Sequence, residues 1–294
     1  MVIEQAYYFI FFALFLITGM CVGSFMNVVI YRLPLILLGS EDNERRFSLA
    51  WPPSHCPVCQ GRIRFYDNIP VLSWLVLRGK CRYCRTPISA VYPLTEAITG
   101  LWFTGVYLSL NDPEITLLTL SGLASQLPLL ALFCLLYCVM VIDIRYYLIP
   151  DVLSLGILWA GLVFSVSGLL SATPIQSVLG GVFAYSVLWL VQQGYRVIRG
   201  FEGLGRGDVK LFAAAGVWLG LNQVPWLILL SAVCGGVLYG VRTFYQKNSL
   251  LQVSCTSSEW DTDHSESDIR SNKLYIPFGP AIALAFLLLY LIQI

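Results

Sequence analysis

Two aspartates occupy positions that membrane chains seldom give to charged residues. Asp143 ends the unbroken apolar run 128–142, and Asp208 opens another in "FEGLGRGDVKLFAAAGVWLGL" (201–221). Ionisable residues at membrane depth are costly and are usually functional. Two apolar segments separate the pair, so both carboxylates fall at the same membrane face. Two neighbouring carboxylates do not both ionise readily, and one proton is shared between them. The ionised member can then activate water while the protonated member polarises a peptide carbonyl. That is the chemistry of an aspartic protease. Each residue also has a structural reading: Asp143 as an interfacial acid paired with Arg145, and Asp208 as a surface acid behind a glycine-rich helix cap.

The residues around the pair extend this reading. Gly205 and Gly207 would let the backbone approach an extended substrate and adopt conformations closed to other residues. Asp208 would open a helix, whose dipole favours its ionised form. Lys210 stands beside it as a supporting residue. Asp151, directly after Pro150, reads first as the N-cap of the next helix and second as a supporting member of the site. The alternating glycines do not make a dinucleotide fingerprint, because that needs a preceding strand and a βαβ unit, whereas apolar helical segments flank this one.

A second constellation lies in "HCPVCQGRIRFYDNIPVLSWLVLRGKCRYCRTPIS" (55–89), where Cys56/Cys59 and Cys81/Cys84 form two CxxC pairs. Each pair supplies two thiolates from one tight turn, and four thiolates close a tetrahedral zinc site. In a reducing compartment zinc is favoured over disulfides. A site closed by four sulfurs has no open position, so its role is expected to be structural, with His55 a bystander. Cys21, Cys134, Cys138 and Cys234 lie in apolar runs and read as small hydrophobes, and Cys255 lies in a polar loop.

The elements that must carry these groups are membrane helices. The chain has 294 residues, 57% hydrophobic and 12% charged, against roughly 25% charged in soluble domains. A net charge of +1 gives no basic surface for nucleic acid. Eight spans are expected at about 7–30, 92–110, 125–142, 152–170, 177–195, 209–222, 226–243 and 277–294, with 115–123 either extending the third or lying on the membrane surface. The pattern predicts an all-α polytopic protein, since nothing alternates as a membrane barrel would. The first span is too long, and lacks the basic flank, for a cleaved signal peptide. Lys and Arg sort the loops: basic residues fill 32–85, 145, 196–210 and 242–273, while 111–114, 171–176 and 222–225 have none. The basic loops are therefore expected in the cytoplasm and both termini outside. The expected organisation is a first helix (1–32), a cytoplasmic four-cysteine module (33–91), a membrane core (92–245), an acidic flexible loop (246–275) and a last helix (276–294).

Taken in order, "GSFMNVVIYRLP" (23–34), the cysteine stretch through Glu96, "VIDIRYYLIPD" (141–151), "EGLGRGDVKL" (202–211) and "FGP" (278–280) resemble the bacterial type IV prepilin peptidases, over nearly the whole chain. The resemblance implies that Asp143 and Asp208, the latter closing a GxGD motif, are the catalytic aspartates. It implies that the four cysteines are the family's cytoplasmic zinc module. It further implies a multi-pass protein of the bacterial inner membrane. That protein would cut the basic leader of type IV prepilins or type II secretion pseudopilins after glycine, at the cytoplasmic face. It would then N-methylate the new N-terminus with S-adenosylmethionine. No methyltransferase glycine loop is visible, so the methylation rests on the resemblance alone. The acidic insert at 254–268 departs from the family pattern. On the residues alone two other classes stay open: a transporter relaying protons or metal ions through the two acids, and a membrane subunit whose zinc module docks a partner.

Overall fold

A computed structural model of the chain describes residues 2–39, 48–109, 120–200, 204–254 and 277–294. Among the described residues the regular structure is helical: α1 (Val2–Leu38), a short α2 (Leu72–Val76), α3 (Val91–Leu108), α4 (Leu120–Tyr146), α5 (Asp151–Val166), α6 (Pro174–Arg199), α7 (Arg206–Leu219), α8 (Val224–Ser254) and α9 (Gly279–Gln293). The eight longer helices overlie the eight apolar segments. Among the described residues four stretches are long and apolar enough to cross a membrane: Tyr8–Leu38, Ala124–Tyr146, Pro174–Arg199 and Leu221–Val241. Helices α5 and α9 are shorter and apolar. Helix α8 continues to Ser254, so the start of the segment expected to be a flexible loop is helical. The remainder of that loop, with Cys255, lies outside the described residues, as does most of 115–123. Local chemistry sets several helix ends. Thr173 and Gln176 form a capping box in front of Pro174, and Gly200 closes α6 in the left-handed region at φ 76°.

The chain divides into two compact units, Met1–Ile142 with Val163–Leu170, and Asp143–Leu162 with Ser171–Ile294. In the first unit α1 and α3 run antiparallel. Their register is fixed by Tyr107 Oη donating to Tyr8 O (3.3 Å) at one end and Asn27 Nδ2 donating to Tyr92 O (3.0 Å) at the other. Between these points the backbones nearly touch: a Cβ on Gly19 would come 2.8 Å from Gly100 Cα, and one on Gly23 the same distance from Glu96 Cα. In lipid no hydrophobic force drives helices together, so small residues that permit such approach carry the packing. Helix α4 joins through Trp102, stacked on Phe133 at 4.3 Å, and through Tyr137 Oη, 3.1 Å from Thr95 Oγ1. Beyond Asn27, the buried Arg32 donates to the carbonyls of Ser48 (3.0 Å), Leu49 (3.2 Å) and Pro52 (2.7 Å), which fastens the chain entering the cysteine module to α1.

The second unit is centred on α7, whose residues from Asp208 to Leu219 are buried save Lys210. Its tightest crossing is with α6, where a Cβ on Gly180 would lie 2.3 Å from Gly216 O and one on Gly216 would lie 2.4 Å from Gly180 O. Trp218 Nε1 donates to Ile157 O (2.8 Å) and so ties in α5, while Phe286 and Tyr290 of α9 pack edge-on against the same indole.

This packing predicts a contrast within one helix. Gly180→Ala puts a methyl group into the backbone of α7 and should cost about 1–3 kcal/mol, the range for overpacking. Gly194→Ala, where nothing lies within 4 Å, should be neutral or stabilising. Thermal unfolding of the two variants in the same detergent checks this, and equal midpoints would contradict it.

Candidate functional site

Asp143 lies in the last turn of α4 and Asp208 in the first turn of α7. The two are 5% and 9% exposed and close enough for their charges to repel. Each carboxylate is met by a backbone N–H. Gly279 N, at the start of α9, donates to Asp143 Oδ2 at 2.8 Å, and Gly205 N, the N-cap of α7, donates to Asp208 Oδ2 at 3.2 Å. Helix N-termini have unpaired N–H groups and a positive dipole end, so both acids sit where a helix favours an anion. Asp143 is not the exposed partner of Arg145 that one reading allowed: Arg145 is exposed, while Asp143 is buried against α9.

The glycines act differently from expectation in one respect. Gly205 has φ −67° and Gly207 lies within helix α7, so neither adopts a conformation closed to other residues. What they provide is space. A Cβ on Gly207 would lie 2.9 Å from the Cβ of Ile149, and one on Gly205 would lie 2.9 Å from Asp208 Oδ2. Asp151 stands inside the first turn of α5 rather than ahead of it, and its Oδ2 takes Lys210 Nζ at 2.6 Å. The two supporting residues are thus partners, joining the start of α5 to α7 on an exposed surface.

Sequence reasoning did not place Gly279 in the site. A Cβ there would be 2.6 Å from Asp143 Oδ2, so only glycine lets this N–H reach the carboxylate. Phe278 holds the turn in place, its ring 6.3 Å from that of Phe212 and directly over Gly235 of α8. The "FGP" stretch was visible in the sequence, but the partner of its glycine is 136 residues away.

In the first unit the four cysteines come together. The Sγ atoms of Cys56, Cys59, Cys81 and Cys84 all lie within 4.8 Å of one another, and Cys56 and Cys84 are 3.8 Å apart. Tetrahedral bonds of about 2.3 Å to a central ion put sulfurs about 3.8 Å apart, so the donor set fits a metal ion. The two pairs are built alike. Cys56 N donates to Gly61 O and Cys81 N to Thr86 O. Gln60 and Arg85, each just after a second cysteine, both sit at φ 57°. An antiparallel bridge flanks each turn, at His55–Arg62 and Lys80–Pro87. The N–H groups of Cys59 and Val58 hold the Cys56 thiol below the ordinary thiol range, and the hydroxyl and N–H of Thr86 bring Cys84 down to about 6. Both effects favour the thiolate that a metal binds, whereas burial and the neighbouring sulfurs push Cys59 up to about 11. His55 turns away, its Nδ1 3.0 Å from Pro53 O.

Elemental analysis of protein purified under reducing conditions should therefore find close to one metal ion per chain. Cys81→Ser with Cys84→Ser should abolish it, and His55→Ala should leave it in place. Retention of the metal by the double variant would show that it is bound elsewhere.

Known proteins carry the same pattern. The model of the bacterial peptidase A24 N-terminal domain matches residues 17–110, and that of the type IV leader peptidase family matches residues 130–240. A prepilin leader peptidase/N-methyltransferase of Pectobacterium carotovorum subsp. carotovorum is 42% identical over 233 residues, covering 76% of this chain and 80% of its own. A protein of that name from Neisseria gonorrhoeae is 40% identical over 234 residues, covering 74% and 78%. Another, from Aeromonas hydrophila, is 35% identical over 290 residues, covering 94% and 89%. No solved structure matches the chain. With similarity of this extent joined to paired buried aspartates and a four-thiol cluster, the chain belongs to the type IV leader peptidase family.

Proposed function

We propose that this protein is a membrane aspartic endopeptidase that removes the leader of type IV prepilins or type II secretion pseudopilins and then N-methylates the new N-terminus. The burial of Asp143 and Asp208 within electrostatic range of each other, each carboxylate met by a helix N-terminal N–H, carries the peptidase reading. The names of the similar proteins support both activities. One proton lies between the two carboxylates. The ionised member takes a proton from water, and the oxygen attacks the carbonyl carbon of the scissile bond. The protonated member gives its proton to the carbonyl oxygen, and the tetrahedral species collapses as the leaving amine is protonated. The backbone N–H groups of Gly279 and Gly205 keep each carboxylate oriented through the cycle. The Lys210–Asp151 pair steadies the frame and touches no reacting atom.

The ion in the four-thiol cluster is zinc, with a structural role, because a closed four-sulfur shell leaves no position for substrate. S-adenosylmethionine supplies the methyl group; the geometry assigns no residue to it. Eight helices cross the inner membrane, the basic loops face the cytoplasm, and the aspartates lie at that face, where the bond between a basic leader and an apolar pilin helix arrives. The cut glycine suits the site because it disfavours helix and asks for no side-chain room.

Asp143→Asn and Asp208→Asn should each reduce leader removal below detection while the protein still inserts, because the near-isosteric amide cannot share the proton. Gly279→Ala should lower cleavage at least tenfold without unfolding the protein. Asp151→Asn should cost no more than a few-fold, since an exposed ion pair is worth about 0–1 kcal/mol. Product mass from a purified prepilin, in detergent and in liposomes, measures all four. Near wild-type cleavage by either aspartate variant would remove that residue from the mechanism.

Substrate geometry gives a separate expectation. Lengthening the spacer between the leader glycine and the apolar helix should sharply reduce cleavage in liposomes, whereas indifference to spacer length would mean that membrane depth does not position the bond.

A further inference from the structure

Between the two cysteine pairs, the connector carries large apolar side chains that its own module leaves uncovered. Phe65 is 87% exposed, Leu72 59%, Leu75 57% and Val76 76%. Leu72, Leu75 and Val76 form one face of α2. The opposite side is closed, with Trp74 Nε1 donating to Ile88 O (3.2 Å) and the indole lying against Gly79. A face of this size in water would be unfavourable and would invite association.

We propose that residues 65–76 dip into the cytoplasmic leaflet and anchor the four-cysteine module on anionic phospholipid. This rests on the membrane topology proposed above. The α1–α3 register sets the depth of the module. The two helices are paired from the level of Tyr8 and Tyr107 to that of Asn27 and Tyr92. Over that stretch α1 rises about 28 Å and α3 about 22 Å, most of the thickness of a hydrocarbon core. Glu96 is one turn further into α3 than Tyr92, so it lies about 6 Å inside that end. Its Oε2 accepts the N–H of Val71, the N-cap of α2, at 2.7 Å. The contact is a firm one: Glu96 is buried against Gly23 of α1, and Val71 is held at φ 60°, which a β-branched residue rarely adopts. The start of α2 is therefore pinned at the depth where interfacial helices lie, about 5–10 Å into the headgroup boundary.

Charge agrees with depth. Arg62 and Arg64 precede the apolar residues and Arg78 and Lys80 follow them, all exposed. The one acid of the stretch, Asp67, accepts from Arg82 Nε at 2.8 Å. A basic rim around an apolar face matches a bilayer surface bearing lipid phosphates. The anchor adds a hold on the bilayer to the ties that Arg32 of α1 and Glu96 of α3 make to the module.

Footprinting of the full chain in liposomes tests this. The vesicles are phosphatidylcholine alone or phosphatidylcholine mixed with phosphatidylglycerol, and the probes are a lipid-soluble and a water-soluble carbene reagent read out by peptide mass. The lipid-soluble probe should label 65–76 several-fold more than the cysteine turns 54–62, with the water-soluble probe reversed, and phosphatidylglycerol should increase the contrast. Changing Leu72, Leu75 and Val76 together to Ser should lower lipid labelling of Phe65 several-fold with the metal retained. Labelling of 65–76 from water at the level of the cysteine turns, or protection from both reagents as a covering protein would give, would overturn the anchor. Equal labelling in both lipids would overturn the role given to the basic rim. Failure of the lipid-soluble probe to label α1 would be distinct, since it would overturn the membrane topology itself.

Discussion

The second unit is organised by the need to bury a carboxylate without abandoning it. Removing an ionised acid from water costs several kcal/mol unless hydrogen bonds replace the lost solvent. Asp143 takes the N–H of Gly279 and Asp208 that of Gly205. Both donors belong to helix N-termini, so α9 and α7 must begin where the acids are. Further positions follow from that. Gly279 must lack a side chain, Phe278 must wedge over Gly235 to aim the turn, and Gly207 must be bare for α7 to reach Ile149. Conversely, Gly180 and Gly216 let α6 press on α7 until their backbones nearly touch.

The first unit solves a similar problem with other residues. Arg32 and Glu96 are both buried, yet each reaches backbone groups of the cysteine module: Arg32 three carbonyls and Glu96 one N–H, with Ser24 of α1 also bonding Glu96. A charge spent on backbone fixes a loop in a way that a surface ion pair cannot, because a mispositioned loop would leave the charge buried and unpaired. The module itself repeats one small turn twice, with the same hydrogen bonds and the same positive φ after each second cysteine. Four sulfurs held in this way need little rearrangement to receive an ion.

The candidate site residues could be read directly because they break the pattern around them. An acid at the end of an apolar run and a cysteine repeated at a spacing of three stand out against composition alone, and helix positions follow from apolar length. Asp143, Asp208 and the four cysteines are legible for that reason. So are the eight longer helices, whose ends shift by only a few residues except for α1, which runs on to Leu38, and α8, which continues to Ser254.

Pairings between distant helices were decided by the tertiary structure. Gly279 carries no chemical signal, since a glycine near a helix start usually means a turn, and its role appears only when Asp143 is found 2.8 Å from its N–H. Asp151 looks like a cap because a cap is what a local reading can supply, whereas its partner Lys210 is 59 residues away. Gly205 and Gly207 signal either conformational freedom or space, and the two are indistinguishable until the neighbour is known; here the neighbours are Asp208 and Ile149. Sequence by itself determined which residues are unusual and which segments are helical, because propensity and hydrophobicity are properties of single residues and short windows. It could not determine which backbone N–H satisfies which buried acid, because that depends on two helices arriving at one place.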